Sequence, residues 1–434
     1  MKQIKSNIIF VDTNIFKRNQ YAEWIVALNV TFVVTFSVTI SALRIFSPQI
    51  ASLANILRVL ALVPLFIFQI SNYGIRIKEK NGLWFFIIYT VYIFSYLELF
   101  PVYRMGDLKH VPASIWHFFY ETVQILILLS CAETITRHLK VKKFLILSFF
   151  ASVLPSVIVI QYIGVEILQV FGQERDDDDF ISKLALGYCN APLMVLSIIF
   201  FKKILKDKWL SMFFATIIIL MSSYVILMCG ERGPIVWSFM SLVICFFLLA
   251  KKISRYIVWT FILGVILYIN VDFVLLGLSQ LAPRTAERVE LTITEGDTSN
   301  RFDTDNEEGS TYIIAWNQFL SSPIYGSYFR LITNNPSLRA HYPHNVFLEI
   351  MITMGLLGFI PFLFLLYKAW KVVRKTFKQR QYTEGQLGCL VLFLSVFLQL
   401  QTTETIVTYQ AFWLFFYIIC NIGKFGKESS VRTS

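Results

Sequence analysis

Stretches of about 20 mainly apolar residues, each enough to cross about 30 Å of hydrocarbon, recur along almost the entire chain. They fall at 21–43, 49–73, 82–103, 113–134, 144–170, 183–201, 209–229, 233–250, 256–280, 345–367, 385–403 and 405–423. The run 183–201 is short and interrupted by Pro192, and the last two are separated only by a tight polar turn. In lipid every backbone N–H and C=O must be satisfied within the protein, so runs of this length read as α-helices. The expected fold is an all-α polytopic membrane protein with about 12 transmembrane helices. Apolar residues make up 56% of the chain and charged residues 15%, against about 25% charged in soluble domains. Forty-one phenylalanines exceed what one water-soluble core hides, whereas lipid can solvate the outer face of every helix. No polar stretch is long enough for a separate soluble domain. About twenty mostly polar residues precede the first run, so the first span itself is expected to act as the insertion signal.

Lysine and arginine set the orientation. With the N-terminus inside, 27 of the 39 Lys and Arg residues lie in cytoplasmic segments, 11 lie on the opposite side, and Arg58 lies within a span. The basic stretch Lys368 to Arg380 falls inside and the acidic run Asp176 to Asp179 outside. Both termini are therefore expected in the cytoplasm. The net charge of +11 reflects this topology and points to no nucleic-acid partner. The chain divides into spans one to nine (1–280), a large outward loop (281–344), and spans ten to twelve with a cytoplasmic tail (345–434).

Within the loop, STYIIAWNQFL places Tyr312, Trp316 and Leu320 at i, i+4 and i+8, with Ile313 beside them. That spacing predicts a short amphipathic helix, lying at the membrane surface or capping the bundle, and ended by Ser321, Ser322 and Pro323. Gly355 and Gly358, one turn apart in span ten, predict close approach of a neighbouring helix. The six cysteines sit in or at the ends of apolar runs and read as small apolar residues. No internal repeat of broken helices is visible.

Several polar residues have a chemical reading beside a bland one. Arg232, in CGERGPIVW at the outer face, either snorkels to headgroups or grips a ligand. Arg284, Arg288 and Arg301 in the loop are either solvated ion pairs or donors to a diphosphate, which the planar guanidinium suits by its two parallel hydrogen bonds. His341 and His344, in RAHYPHN, lie where the loop returns to span ten, followed by Asn345. His344 is either a polar cap or a base, since the positive end of a helix favours the neutral imidazole that can accept a proton. Without a cysteine or nearby third ligand, the two histidines are a weak metal pattern. Arg58 lies about ten residues into span two, where an ionisable group is expensive and needs a function or a partner. His117, Glu121 and Gln124 form one stripe on span four, with Glu98 and Asp272 at similar depths. They are either a network that orients helices or part of a binding site, and both readings imply a hydrated pocket open to the outer face.

HNVFLEIMITMGLLGF resembles the HNxxLexxxxxGxxG signature of the bacterial O-antigen ligase and Wzy-type O-antigen polymerase superfamily. CGERGP resembles its SGSRGP element, with Glu231 in place of Ser. TSNRFDTDNEEGSTYIIAWNQFLSSPIYGSYF resembles its loop element, matching at Arg301, Trp316 and Gly326, with a longer Arg-to-Trp spacing. The resemblance implies a GT-C-like, metal-independent, inverting glycosyltransferase working at the periplasmic face of the bacterial inner membrane without a cofactor. It implies a glycan donor on undecaprenyl diphosphate, Arg232 and Arg301 on the leaving diphosphate, and His344 as base. Arg58, Glu121, Arg284, Arg288, Trp316, His341 and Asn345 are the residues expected to line the substrate. A polymerase is favoured because the RGP form of the arginine element looks more like that branch, with a chain-length regulator protein as a further partner. The alternatives are a ligase that transfers the polymer to lipid A-core and, further off, a lipid-linked sugar flippase, which should show repeats and short loops.

Overall fold

The computed structural model describes residues 20–36, 38–39, 48–74, 80–99, 115–163, 183–230, 232–249, 271–283, 285–287, 290, 311–327, 343, 345–380, 382–401, 406 and 409–425. Among these the secondary structure is helical and no strand occurs. Helix α1 covers 20–36, followed by α2 (Pro48–Tyr73), α3 (Leu83–Leu99), α4 (Ile115–Ser130) and the short α5 (Ala132–His138). Next come α6 (Val141–Ser148, continued through the π-turn Phe149–Val153 into Leu154–Ile163), α7 (Lys183–Ile199), α8 (Lys208–Met228) and α9 (Arg232–Leu249). The C-terminal part holds α10 (Val271–Leu281), α11 (Thr311–Ser321), α12 (Val346–Lys378), α13 (Glu384–Gln399) and α14 (Gln410–Asn421). Val141–Tyr162, Lys208–Met228 and Val346–Lys378 are long and apolar enough to cross a membrane, and seven shorter apolar helices accompany them. The chain is an integral membrane protein. Of the ninth expected span only the end, α10, lies among the described residues; positions 256–270 lie outside them.

Contacts between the helix ends sort the bundle into two poles. At one pole the Lys143 ammonium pairs with Glu23 (2.9 Å), the Lys368 ammonium donates to Asn81 Oδ1 (3.2 Å), and the Asn421 amide donates to the Asn81 carbonyl (3.0 Å). Val141 N–H is bound by Glu384 Oε1 (2.8 Å). This basic pole thus collects the start of α1, the turn before α3, the α5–α6 corner, the middle of α12, the start of α13 and the end of α14. At the other pole lie the start of α14, the first turns of α4 and α12, and the turn between α8 and α9. The alternation is what antiparallel helices with short connections require.

The core is aromatic and centred on α14. Trp413, Phe412, Phe415 and Phe416 are buried, with Trp413 packed edge-on to Phe86 (ring centroids 4.9 Å) and Phe416 against Phe362 (5.6 Å). Outer faces carry large exposed apolar side chains such as Trp84, Ile88, Phe213, Leu220, Ile360 and Phe364, as lipid contact demands. In α6 the π-turn loosens the regular ladder, and the Thr39 hydroxyl donates to the Ala151 carbonyl there (3.0 Å).

Two expectations change. Span ten is not a straight helix: Gly355 has φ 58° and ψ −156°, a conformation open essentially only to glycine. It divides α12 into a buried first segment, Val346–Met354, and an outer-faced second segment that continues past residue 367 to Lys378. The neighbour at Gly355 is a turn rather than a helix, since a Cβ there would lie 2.4 Å from the Ile324 carbonyl oxygen. The loop helix α11 forms over Thr311–Ser321 as its periodicity predicts. Its buried face, however, is Ala315 and Phe319 against Met351 and Ile352, whereas Trp316 and Leu320 are exposed. The pattern was ambiguous because apolar residues cover two faces of this helix, and the choice is made by the α12 surface beneath it.

Candidate functional site

The pole opposite the basic one carries a buried polar cluster. Arg58 on α2 lies 3.6 Å from Glu121 on α4 through Nη2 and Oε2, and both side chains are largely buried. The Arg58 guanidinium sits over the Phe36 ring at 4.4 Å, a cation–π contact that partly replaces lost hydration. The Gln410 amide, at the first residue of α14, donates to Glu121 Oε2 and to Gln124 Oε1 (2.8 Å). Helical spacing of Glu121 and Gln124 puts both on one face, as the sequence indicates; Gln410, some 290 residues away, is what tertiary structure adds. Among the described residues, buried Arg58 Nε, Gln124 Nε2 and Gln410 Oε1 find no partner. A buried guanidinium with a spare donor beside a carboxylate can receive a further acceptor. The side chains of His117, Glu98 and Asp272 lie outside the described residues.

A second polar feature surrounds the start of α12. Asn345 is its N-cap, and its side-chain oxygen accepts from Phe347 N–H (3.0 Å) and Leu348 N–H (3.1 Å). Such caps contribute about 1 kcal/mol, and this one occupies the carboxamide oxygen while leaving the NH2 group to other partners. One turn later Glu349 is fully buried and accepts from Ile406 N–H through both oxygens (3.2 and 3.3 Å). The Ile406 carbonyl in turn accepts from Trp413 Nε1 (2.6 Å). Glu349 is the acid of the HNxxLe element. Its signal was an acid within an otherwise apolar helix, and its anchoring of the α13–α14 connection could not be inferred from α12 alone.

The third feature is the α8–α9 turn. Gly230 has φ 67°, and Arg232 is the first residue of α9. Pro234 fills the space over Gly187, where a Cβ would lie 2.7 Å from the proline ring. Against this turn packs the segment that follows α10: the Thr285 hydroxyl donates to the Leu227 carbonyl (2.7 Å), and Ala282 joins an apolar cluster with Met228 and Cys229. Backbone position is described for Arg232 but not its side chain. Arg284, Arg288, Arg301, His341 and His344 lie outside the described residues. Pro343, between the two histidines, is buried. Trp316 is partly exposed, with its ring tilted against Phe319 at a centroid distance of 5.4 Å. Among the described residues no group of three His, Cys, Asp or Glu side chains could hold a metal ion.

Residues 216–363 match the sequence model of a family described as O-Antigen ligase (Wzy_C). The match runs from α8 across the long loop to α12, includes all three motif segments, and supports the resemblance to the O-antigen ligase/Wzy-type superfamily. That family comprises glycosyltransferase-like enzymes of O-antigen processing. No curated protein matches the chain.

Proposed function

Taking the match of residues 216–363 to the O-antigen ligase family as premise, we propose that this protein is a surface-polysaccharide polymerase. It transfers a growing glycan from undecaprenyl diphosphate to an undecaprenyl-diphosphate-linked repeat unit at the periplasmic face of the inner membrane. The reading is supported above all by the match of residues 216–363 to that family, and the packing of Thr285 on Leu227 ties the segment after α10 to the α8–α9 turn within it. Arginine in the matched motifs suits a diphosphate, because a guanidinium can donate two parallel hydrogen bonds and does not lose its charge.

In this mechanism His344 accepts the proton of the acceptor hydroxyl as its oxygen attacks the anomeric carbon. The bond from that carbon to the diphosphate oxygen breaks, and the electron pair leaves with the diphosphate. Arg232 and Arg301 neutralise the developing charge. Attack opposite the leaving group inverts the anomeric centre. The diphosphate is already a good leaving group, so deprotonation and charge stabilisation suffice without a metal. Arg58 and Glu121, at the same pole, are assigned to the sugar or diphosphate of the lipid-linked substrate. The described residues do not include the His344 side chain, and its role rests on the motif and on the N-cap Asn345 that follows it.

The test is the surface glycan of a strain lacking the gene. A single repeat unit on the lipid anchor supports polymerase. Long polymer accumulating on undecaprenyl diphosphate instead identifies a ligase, in keeping with the family's description. Unchanged glycan overturns both.

A further inference from the structure

The turn after α11 is bonded in a way that a water-exposed loop does not need. All four carbonyls of Pro323–Gly326 accept hydrogen bonds from the protein. Pro323 O accepts from Leu356 N–H (2.8 Å) and Ile324 O from Leu357 N–H (3.1 Å). Tyr325 O accepts from the Tyr92 hydroxyl, and Gly326 O from the Ser322 hydroxyl (2.7 Å). The N–H of Gly326 donates to Ser322 O (2.9 Å), and that of Ser327 to Ile352 O (2.7 Å). In the same turn the Ile324 and Tyr325 side chains, both apolar or aromatic, are more than half exposed. Carbonyls bonded within the protein under exposed apolar side chains are what irregular backbone calls for where water is scarce.

Depth gives an independent measure. Lys368, hydrogen-bonded to Asn81 at the basic pole, marks one membrane surface. Helix α12 runs from Gly355 to Lys368, which at 1.5 Å per residue is about 20 Å. From Leu83, just after Asn81, to Tyr92 along α3 is about 14 Å. Both routes end at the turn, through Leu356–Pro323 and Tyr92–Tyr325, and any tilt only shortens them. A hydrocarbon layer is about 30 Å thick, so the turn stands inside it, below the far surface. The exposed side chains of Trp316, Leu320 and Ile324 follow one another at four-residue spacing, and Ile324 is bonded through its carbonyl to Leu357, which with Ile360 is exposed on α12.

We propose that the large outward loop is re-entrant: α11 and the turn 323–326 sink into the outer leaflet, and Trp316, Leu320, Ile324 and Tyr325 contact the acyl chains of bilayer lipid. One face of α11 caps the buried start of α12 and the other meets lipid. The inference stands on packing and depth and does not depend on the transfer reaction.

The test is nitroxide accessibility in the full-length protein in phosphatidylethanolamine–phosphatidylglycerol vesicles. Labels are placed by Leu320→Cys and Ile324→Cys, with Ile360→Cys as lipid-facing reference and Lys378→Cys as aqueous reference. The six native cysteines are buried and leave the labelling specific. The ratio of collisions with oxygen to collisions with a water-soluble nickel chelate is expected to match Ile360 at both loop positions and to exceed Lys378 several-fold. A ratio like that of Lys378 at Ile324 overturns the proposal whatever Leu320 shows. If Ile324→Cys fails to insert, Tyr325→Cys reads the same depth and decides in its place.

Discussion

Replacing Gly355 by alanine tests how the loop and α12 are joined. The residue has φ 58° and ψ −156°, and holding an L-amino acid in that region costs about 1–3 kcal/mol. The added Cβ would lie 2.4 Å from Ile324 O, 2.5 Å from Ile324 C and 2.6 Å from Gly326 N. These are backbone atoms and cannot swing aside, so the turn must withdraw. Withdrawal loses the bonds from Leu356 N–H to Pro323 O and from Leu357 N–H to Ile324 O, each about 1 kcal/mol. Together the loss is roughly 3–5 kcal/mol. It is read by thermal unfolding of the detergent-solubilised protein with a thiol-reactive dye, which reports exposure of the six buried cysteines. Gly277→Ala on α10 is the control, because a Cβ there meets nothing within 4 Å and alanine in a helix is neutral or favourable by up to about 1 kcal/mol. An unchanged unfolding temperature for Gly355→Ala would refute the interlock between turn and helix.

Further predictions concern the polar groups. Glu121→Leu should destabilise by about 3–5 kcal/mol, because it leaves the Arg58 cation buried without its partner; the double variant Arg58→Met/Glu121→Leu should recover stability but make no polymer, and a double variant with normal polymer would reduce the pair to a structural network. Arg232→Lys should lose most polymer at unchanged protein level, because a point charge lacks the bidentate grip; near-normal polymer length would leave Arg232 a headgroup contact. His344→Ala and His344→Gln should both abolish polymer while His341→Ala stays mild, and activity restored by glutamine would rule out proton transfer at His344. At the basic pole His138 contacts the Tyr73 hydroxyl (3.0 Å), and burial pushes its pKa below the ordinary 6.5, with Glu23 opposing and Arg137 and Lys140 adding to the shift. The unfolded chain then binds the proton more readily, so this stability contribution is present above about pH 6.5 and is lost as pH falls through that value towards the folded pKa; His138→Gln should flatten the acid side of a plot of unfolding temperature against pH, and an unaltered profile would exclude His138 as its source.

The sequence by itself determined the solvent and the secondary structure. Runs such as 209–229 and 144–162 admit only a helix in lipid, because no other local arrangement satisfies their backbone there, and helices α8 and α6 occupy them. Local spacing also sufficed to put Glu121 and Gln124 on one face and to start a helix after Asn345, since both are matters of a few neighbouring residues. Charge distribution agreed with the gathering of Lys143 and Lys368 at one pole. What only tertiary structure decided is the set of partners at long sequence separation. Gln410 meets Glu121, Ile406 meets Glu349, and Thr285 meets Leu227, and no periodicity encodes which helix stands beside which. The same holds for Gly355. Its motif indicated a close approach, but a left-handed break opens only where another segment supplies the missing hydrogen-bond partners, and that segment is a turn some thirty residues earlier in the chain. The face of α11 was likewise settled from outside the helix: Ala315 and Phe319 turn inward because Met351 and Ile352 lie beneath them, which leaves Trp316 and Leu320 on the exposed side.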